Sequence, residues 1–363
     1  MGTAIDDADE LVDAPGRGGF ADRLDAFQRR HRWLGFPIAV VYKFADDQGI
    51  FLAALITYYG FLSLFPLLLL LASIVGFLLQ DNPDLQQEIL DSTVSQFPIL
   101  REQLSGPEGL RGSTAAVIVG GVVALYGALG VAQALQNLMN IAWAVPRNRR
   151  PNPILARLRG LLLILTAGIA VLATTVLSGV ASSADAWGAE VSGGVTVLVA
   201  GVAVVVNAVV FVIAFRVATA KELAVREVIL GAIVAAIIWQ LLQLFGTAYV
   251  GYGVKGTSST YGVFALVFGL FAWIFLAAVA LVLCVELNVV RVRRLYPRAL
   301  LTPFTDNVDL TAADKRAYAD AAAAQRHKEF ERIDVHFHDD GQHLTAQRRA
   351  QFGAQNDDDE AAR

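Results

Sequence analysis

Charge is scarce in this sequence, and it is missing where a soluble chain would carry it. Of 363 residues, 17% are Asp, Glu, Lys or Arg and 55% are hydrophobic, with a mean hydropathy of +0.52. A soluble chain carries roughly a quarter charged residues. Residues 114–145 form a 32-residue run without one charge. Such a run excludes an ordinary soluble helix and reads as a membrane span. Cysteine is nearly absent: Cys284 stands alone inside an apolar run. No intrachain disulfide can form, and the residue reads as a small buried apolar group. No span carries a central Asp, Glu, Lys, Arg or His, groups that the relays of a proton-coupled pump need. No His-Glu-x-x-His, paired Asp or nucleophile elbow lies in or near the spans. An intramembrane hydrolase is therefore unsupported, and neither enzymatic activity nor a cofactor is expected. The formal net charge of −4 arises in residues 301–363, where 8 Lys/Arg stand against 13 Asp/Glu. The remainder is near neutral, so charge implies no nucleic-acid partner. No cleavable signal peptide is visible, because the first apolar block is too long for an h-region.

What the chain has instead is six apolar blocks: residues 50–79, 114–145, 160–184, 191–215, 228–250 and 261–284. Each reaches about 20 residues, enough to cross a hydrocarbon core of roughly 30 Å. The first two exceed that need and are expected to tilt, kink or project from the bilayer. The loops alternate in basic charge. Arg30, Arg32 and Lys43 precede the first block, and the loop after it has only Arg101 and Arg111 against six acids. Arg147, Arg149, Arg150, Arg157 and Arg159 follow the second block, and no Lys or Arg follows the third. Arg216, Lys221 and Arg226 follow the fourth, Lys255 alone the fifth, and Arg291, Arg293, Arg294 and Arg298 the sixth. The alternation places both termini in the cytoplasm. The expected fold is an all-α polytopic membrane protein of six transmembrane helices over residues 50–298, with membrane lipids as neighbours.

Residues 1–19 are acidic and Gly-rich and read as disordered. Residues 20–49 mix arginines with Phe27, Trp33, Phe36, Val41 and Phe44. They suggest interfacial amphipathic helices broken near Pro37, or alternatively a soluble packing element. The loop at 84–104 has a loose helical rhythm, and Pro146, Pro151 and Pro153 should stop the second helix sharply. The tail, 299–363, reads as a helix over 311–333 followed by disorder. His336, His338, Asp339, Asp340 and His343 fall within it. Clustered His and Asp in a flexible tail bind metals weakly, and no functional metal site is expected.

The polar side chains of the second block are not scattered. Gln133, Gln136, Asn137 and Asn140 recur at i, i+3, i+4 and i+7, one stripe of a helix. Four amides are costly in hydrocarbon unless they meet partners or water. Gln133 should lie about 20 Å and Asn140 about 9 Å from the helix's basic end. Gly120, Ala124, Ala128 and Ala132 form a ladder of small residues, about 150° away, suited to close packing. Hydrogen bonds that hold the bundle and the lining of a polar cavity both account for the stripe. Gln240, Gln243 and Thr247 repeat the pattern in the fifth block.

The first block carries Tyr58, Tyr59, Gly60, Ser63 and Pro66. Pro66 cannot donate to the carbonyl of Leu62, so a bend is expected there, with Gly60 in a preceding turn. Tyr58, Tyr59 and Ser63 join the amides as candidate cavity lining, and Gly60 and Pro66 as a hinge. Glu286, followed by Asn288, is the acid nearest the basic end of the last block. It is expected to pair with a cation of the inner loops as an anchor. Gly251, Gly253 and Gly256 spell G-x-G-x-x-G, but an apolar span precedes them where a dinucleotide site needs a strand.

These segments together resemble the YihY/BrkB family of bacterial inner-membrane proteins. The resemblance rests on Ala53 to Tyr59 running into Ser63-Leu64-Phe65-Pro66-Leu67-Leu68, on Tyr126-Gly127, and on Leu135 to Asn140 with Trp143. It ends on Tyr261-Gly262, Trp273 and Val285-Glu286-Leu287-Asn288. The final element is commonly Gly-Ala-Glu-Leu-Asn; Cys284-Val285 here replaces Gly-Ala. The resemblance implies six helices, a bacterial envelope location, and a part in envelope integrity or in moving lipids or lipopolysaccharide precursors. Some members were once labelled ribonuclease BN, a label this sequence does not support. The expected function is translocation of a lipid-like or amphiphilic substrate, with a structural envelope scaffold as the alternative.

Overall fold

The apolar blocks are long enough to satisfy every backbone group internally only as helices, and the structure, a computed structural model, has them so. It describes residues 20–78, 114–186, 193–253, 259–303 and 308–337. Two helices, α1 (Phe20–Arg30) and α2 (Arg32–Asp46), precede six long ones. These are α3 (Gly49–Leu78), α4 (Thr114–Ala142), α5 (Pro153–Ala186), α6 (Gly193–Ala218), α7 (Val225–Gly253) and α8 (Ser259–Arg293), and a short α9 (Ala312–Ala324) follows. Among the described residues, five stretches are long and apolar enough to cross a membrane: Gly120–Ala142, Pro153–Leu172, Ala200–Ala218, Val225–Phe245 and Val267–Arg293. The 30-residue α3 is apolar too, but its stretch Gly49–Leu64 falls short of that length on its own. The fold is that of an all-α polytopic membrane protein, and α3 occupies the place of the first expected span.

Each long helix packs on the next, and α8 packs back on α3, which closes a ring. Contacts of α4 with α6 and α8 brace it across the middle. Lipid supplies no hydrophobic drive for helices to associate, so close contact of small side chains has to do so. The inward faces accordingly hold Ala124, Ala132, Ala134, Ala232, Ala235, Ala236 and Ala278. The outward faces hold exposed Val122, Leu125, Leu158, Leu165, Val209, Leu241 and Phe268.

Helix ends depart from the sequence expectations in three places. Prolines do not terminate α4. The helix closes at Ala144, whose φ of 50° is left-handed, with Val145 N–H donating to Asn140 O (2.8 Å) and Ala144 N–H to Ile141 O (2.8 Å). This is the Schellman pattern, completed before Pro146. Arg294 (φ 54°) ends α8 in the same way, with Leu295 N–H donating to Val290 O. The break in the N-terminal segment falls at His31, and Pro37 lies inside α2 with its side chain exposed. The tail helix stops at Ala324, because Glu331 and Arg326 bond the backbone of residues 327–329 and hold a turn there.

Residues 1–19, the segment 84–104 and residues 338–343 lie outside the described residues, as do Lys255, Gly256 and the side chain of Thr247.

Candidate functional site

The most extensive helix contact, α3 on α4, contains two glycines. A Cβ on Gly127 would lie 2.6 Å from Ser63 Cβ and 2.8 Å from its Cα, and one on Gly130 would lie 2.1 Å from the Tyr59 ring. Only a bare Cα fits at either place. Ser63 is buried, and its hydroxyl donates to Gly60 O (3.0 Å). Pro66 sits inside the continuous α3. Tyr59 stacks edge-on to Tyr126 (6.4 Å) and to the exposed Tyr58 (5.2 Å). In the sequence Gly127 entered only through the family resemblance and Gly130 not at all, and the ladder from Gly120 to Ala132 was read as the packing face instead. That ladder drifts about 40° per step, so its last member, Ala132, turns toward Gly160 of α5.

The amide stripe of α4 divides between neighbours. Gln136 is buried and donates to Ala156 O of α5 (3.0 Å) and to Ala132 O (3.3 Å). Asn140 is buried and accepts from Ala220 N–H beyond α6 (2.9 Å). Asn137 is half-buried and accepts from Arg150 (3.5 Å). Gln133 alone is exposed.

Gln133 opens into a groove of about 310 Å³ between α4 and α5, with Tyr59 of α3 at its side. Tyr126, Leu129, Gly130 and Gln136 form one wall, and Ala156, Arg157 and Gly160 the other. Arg157 was read in the sequence only as a loop charge. It lies on the second turn of α5, which begins with Asn152 as its cap: Leu155 N–H donates to Asn152 Oδ1 (2.8 Å). A second cavity of about 210 Å³ lies inside the helix ring. Its walls are apolar, from Ile56 and Gly60 of α3 through Val131, Phe211 and Trp239 to Ile274 and Leu281 of α8. Gln240 and Gln243 are half-buried and line neither space.

At the basic end of the bundle, polar groups are drawn together from both ends of the chain. Glu286 is 0% exposed. Its partner is not in the inner loops: Lys43 of α2 brings its amine within 3.9 Å, because α2 lies along α8. Lys43 also pairs with Asp47. Burial alone would push the Lys43 amine down, but Glu286 and Asp47 outweigh it and its pKa is raised. Burial pushes the Asp47 carboxyl up despite Lys43. One ammonium thus faces two buried carboxyls. Asn288 clamps α7, accepting from Gly231 N–H (2.8 Å) and donating to Val228 O (3.1 Å). Next to this, Arg298 is 0% exposed and bonds Asp46 (2.9 Å) and Asp314 of α9. Tyr42 and Tyr318 flank its guanidinium at 5.8 and 5.6 Å. Asp25 accepts from Leu300 N–H (3.0 Å), and Gln28 donates to Arg298 O, which ties α1 in as well.

The family model for virulence factor BrkB matches residues 40–306. The chain belongs to the BrkB family. Comparison with curated proteins and with solved structures finds no match. The stretch matched to the BrkB family contains every residue of the groove, and also Lys43, Asp46, Asp47, Glu286, Asn288 and Arg298. The α1 and α9 contacts of Arg298, through Gln28 and Asp314, fall outside it.

Proposed function

We propose that this BrkB-family chain is a non-enzymatic protein of the bacterial inner membrane that translocates a lipid-like amphiphile. Its Arg-rich end faces the cytoplasm, an orientation supported by the alternation of loop charge. The groove carries the reading. It sets an amide of α4 and a guanidinium of α5 on its side toward the basic end, with tyrosine and leucine further along α4, as a molecule with a polar head and an apolar tail requires. Its volume of about 310 Å³ meets the lower end of ligand sites, roughly 300–1,000 Å³. The test is transbilayer movement of a fluorescent lipid in liposomes containing the purified chain. Movement faster than in protein-free liposomes, and slowed by Gln133→Leu, is the expected result. Rates equal to protein-free liposomes refute it.

One observation favours the scaffold reading. Gln136 and Asn140 spend their hydrogen bonds on α5 and on the chain beyond α6. If that is all the stripe does, Gln136→Leu lowers bundle stability, Gln133→Leu has no effect, and no lipid moves.

A further inference from the structure

The arginines at the basic end are not alike. Arg147 donates to Gln325, Arg150 to Val145 O and Asn137, and Arg159 to Thr219 O (3.3 Å). Arg157 is exposed in the groove and has no hydrogen-bond or ion-pair partner among the described residues. Among the described residues, no acidic side chain lines the groove. The groove therefore carries an uncompensated positive charge beside a free amide, Gln133. The same face of α4 is apolar further along, where Val122 and Leu125 are exposed. Tyr126 lies seven residues, about 10 Å, further along α4 than Gln133. An occupant thus meets a cation and an amide at one end and aromatic and aliphatic side chains at the other.

We propose that this groove binds the phosphate of an anionic phospholipid at Arg157 and Gln133, with an acyl chain laid along Tyr126, Tyr59 and Leu129. The proposal rests on the amphiphile reading above and names its substrate class. Planar guanidinium donors match phosphate oxygens geometrically and do not lose their charge. Gln133, on the facing helix and lining the same groove, adds a neutral donor. An arginine that merely snorkels to the interface needs neither the amide nor the wall of Gly130 and Gly160. The shared chemistry is the phosphate group, which free inorganic phosphate also offers. The apolar floor of the groove favours the lipid.

Native mass spectrometry of the purified full chain, in detergent with equal phosphatidylglycerol and phosphatidylcholine, tests this. The wild type should retain phosphatidylglycerol in preference, and Arg157→Gln should lower that retention about tenfold, the loss of one charge-assisted hydrogen bond. Arg157→Lys should keep an intermediate level. Arg149→Gln, an exposed charge outside the groove, should change it less than about twofold. Equal retention of both lipids, or equal losses for Arg157→Gln and Arg149→Gln, overturns the site. Displacement of bound lipid by millimolar inorganic phosphate assigns the groove to the free anion and overturns the lipid assignment. An unchanged gel-filtration profile separates loss of binding from misfolding. Selective retention without transbilayer movement defeats translocation alone; movement without selective retention defeats this site alone.

Discussion

Arg298 and Arg157 are both cations at the basic end of the bundle, and the protein treats them in opposite ways. Arg298, in the segment after α8, is enclosed by two carboxylates and two tyrosine rings drawn from α2 and α9. Arg157 is exposed, unpaired among the described residues, and set in a groove. Removing an ion from water costs several kcal/mol unless its partners are in place. The Arg298 cluster meets that condition at Nε and one Nη, leaving the other Nη without a partner among the described residues, and it fixes structure: the N-terminal helices, the last span and α9 hold one arrangement through it. The Arg157 groove leaves the condition open, so a ligand can meet it. Charge alone does not separate an anchor from a site. The state of its partners does.

The largest expected effect tests that contrast directly. Arg298→Ala leaves Asp314, itself 0% exposed, without its cation, and should cost about 3–5 kcal/mol. Arg157→Ala, on an exposed side chain, should stay within about 0.5 kcal/mol. Unfolding of both variants in denaturing detergent, read beside the wild type, measures the pair. Similar losses would erase the distinction between anchor and site. Limited proteolysis should also release α9 in Arg298→Ala and leave it protected in Arg157→Ala.

Three further substitutions compare two glycine contacts between helices, at Gly127 and Gly231, with the groove wall at Gly160. Gly127→Ala drives a Cβ to within 2.8 Å of Ser63 Cα, and Gly231→Ala one to within 2.2 Å of Cys284 O. Both are backbone atoms of a neighbouring helix and cannot step aside, so each change should cost about 1–3 kcal/mol. Gly160→Ala meets only ordinary contacts of 3.4 Å and beyond, with Leu129, Ala132 and Gln136. It should leave stability unchanged. The same detergent titration orders the three, and a loss at Gly160 equal to that at Gly127 would show that the groove wall is as tightly packed as the α3–α4 seam.

The helices were legible in the sequence because the signal is local: an uncharged run of sufficient length has few other solutions in a membrane. Their ends were not. α8 continues nine residues past the apolar block, since Val285, Val289 and Val290 are buried against protein rather than lipid, and hydropathy cannot tell the two apart. The amide stripe was visible from spacing, but its partners were not. Ala156 and Ala220 offer backbone groups, and every residue has those. The Arg298 cluster was hidden for a different reason. Its paired charges Arg298 and Asp46 are separated by 252 residues, and each reads alone as a solvated charge. Arg157 was counted for orientation, and only the fold shows that it shares a groove with Gln133.

Asn288 sharpens the difference between holding and binding within the span itself. Its two hydrogen bonds to α7 lie where water is scarce. Asn288→Leu forfeits both and places a larger side chain against Gly231, so a loss of about 1–2 kcal/mol is expected. Asn288→Asp keeps the acceptor for Gly231 N–H but loses the donor to Val228 O, and should fall at least as far because it buries a charge. A smaller loss for Asp than for Leu would mean that shape, rather than hydrogen bonding, sets this contact.

The smallest effect divides the amide stripe itself. Hydrogen bonds between membrane helices average about 0.6 kcal/mol, since the unfolded chain also finds partners. Gln136→Leu should cost about that much through its lost bond to Ala156 O. Gln133→Leu, on an exposed side chain with no partner to lose, should cost nothing in the same titration. Lipid retention should reverse the order: Gln133→Leu lowers it and Gln136→Leu changes it less. If instead both substitutions act on stability alone, the stripe is one structural seam and the groove beside it is a gap in packing. If the order reverses between the two measurements, neighbouring amides on one helix face hold the bundle at Gln136 and meet a ligand at Gln133.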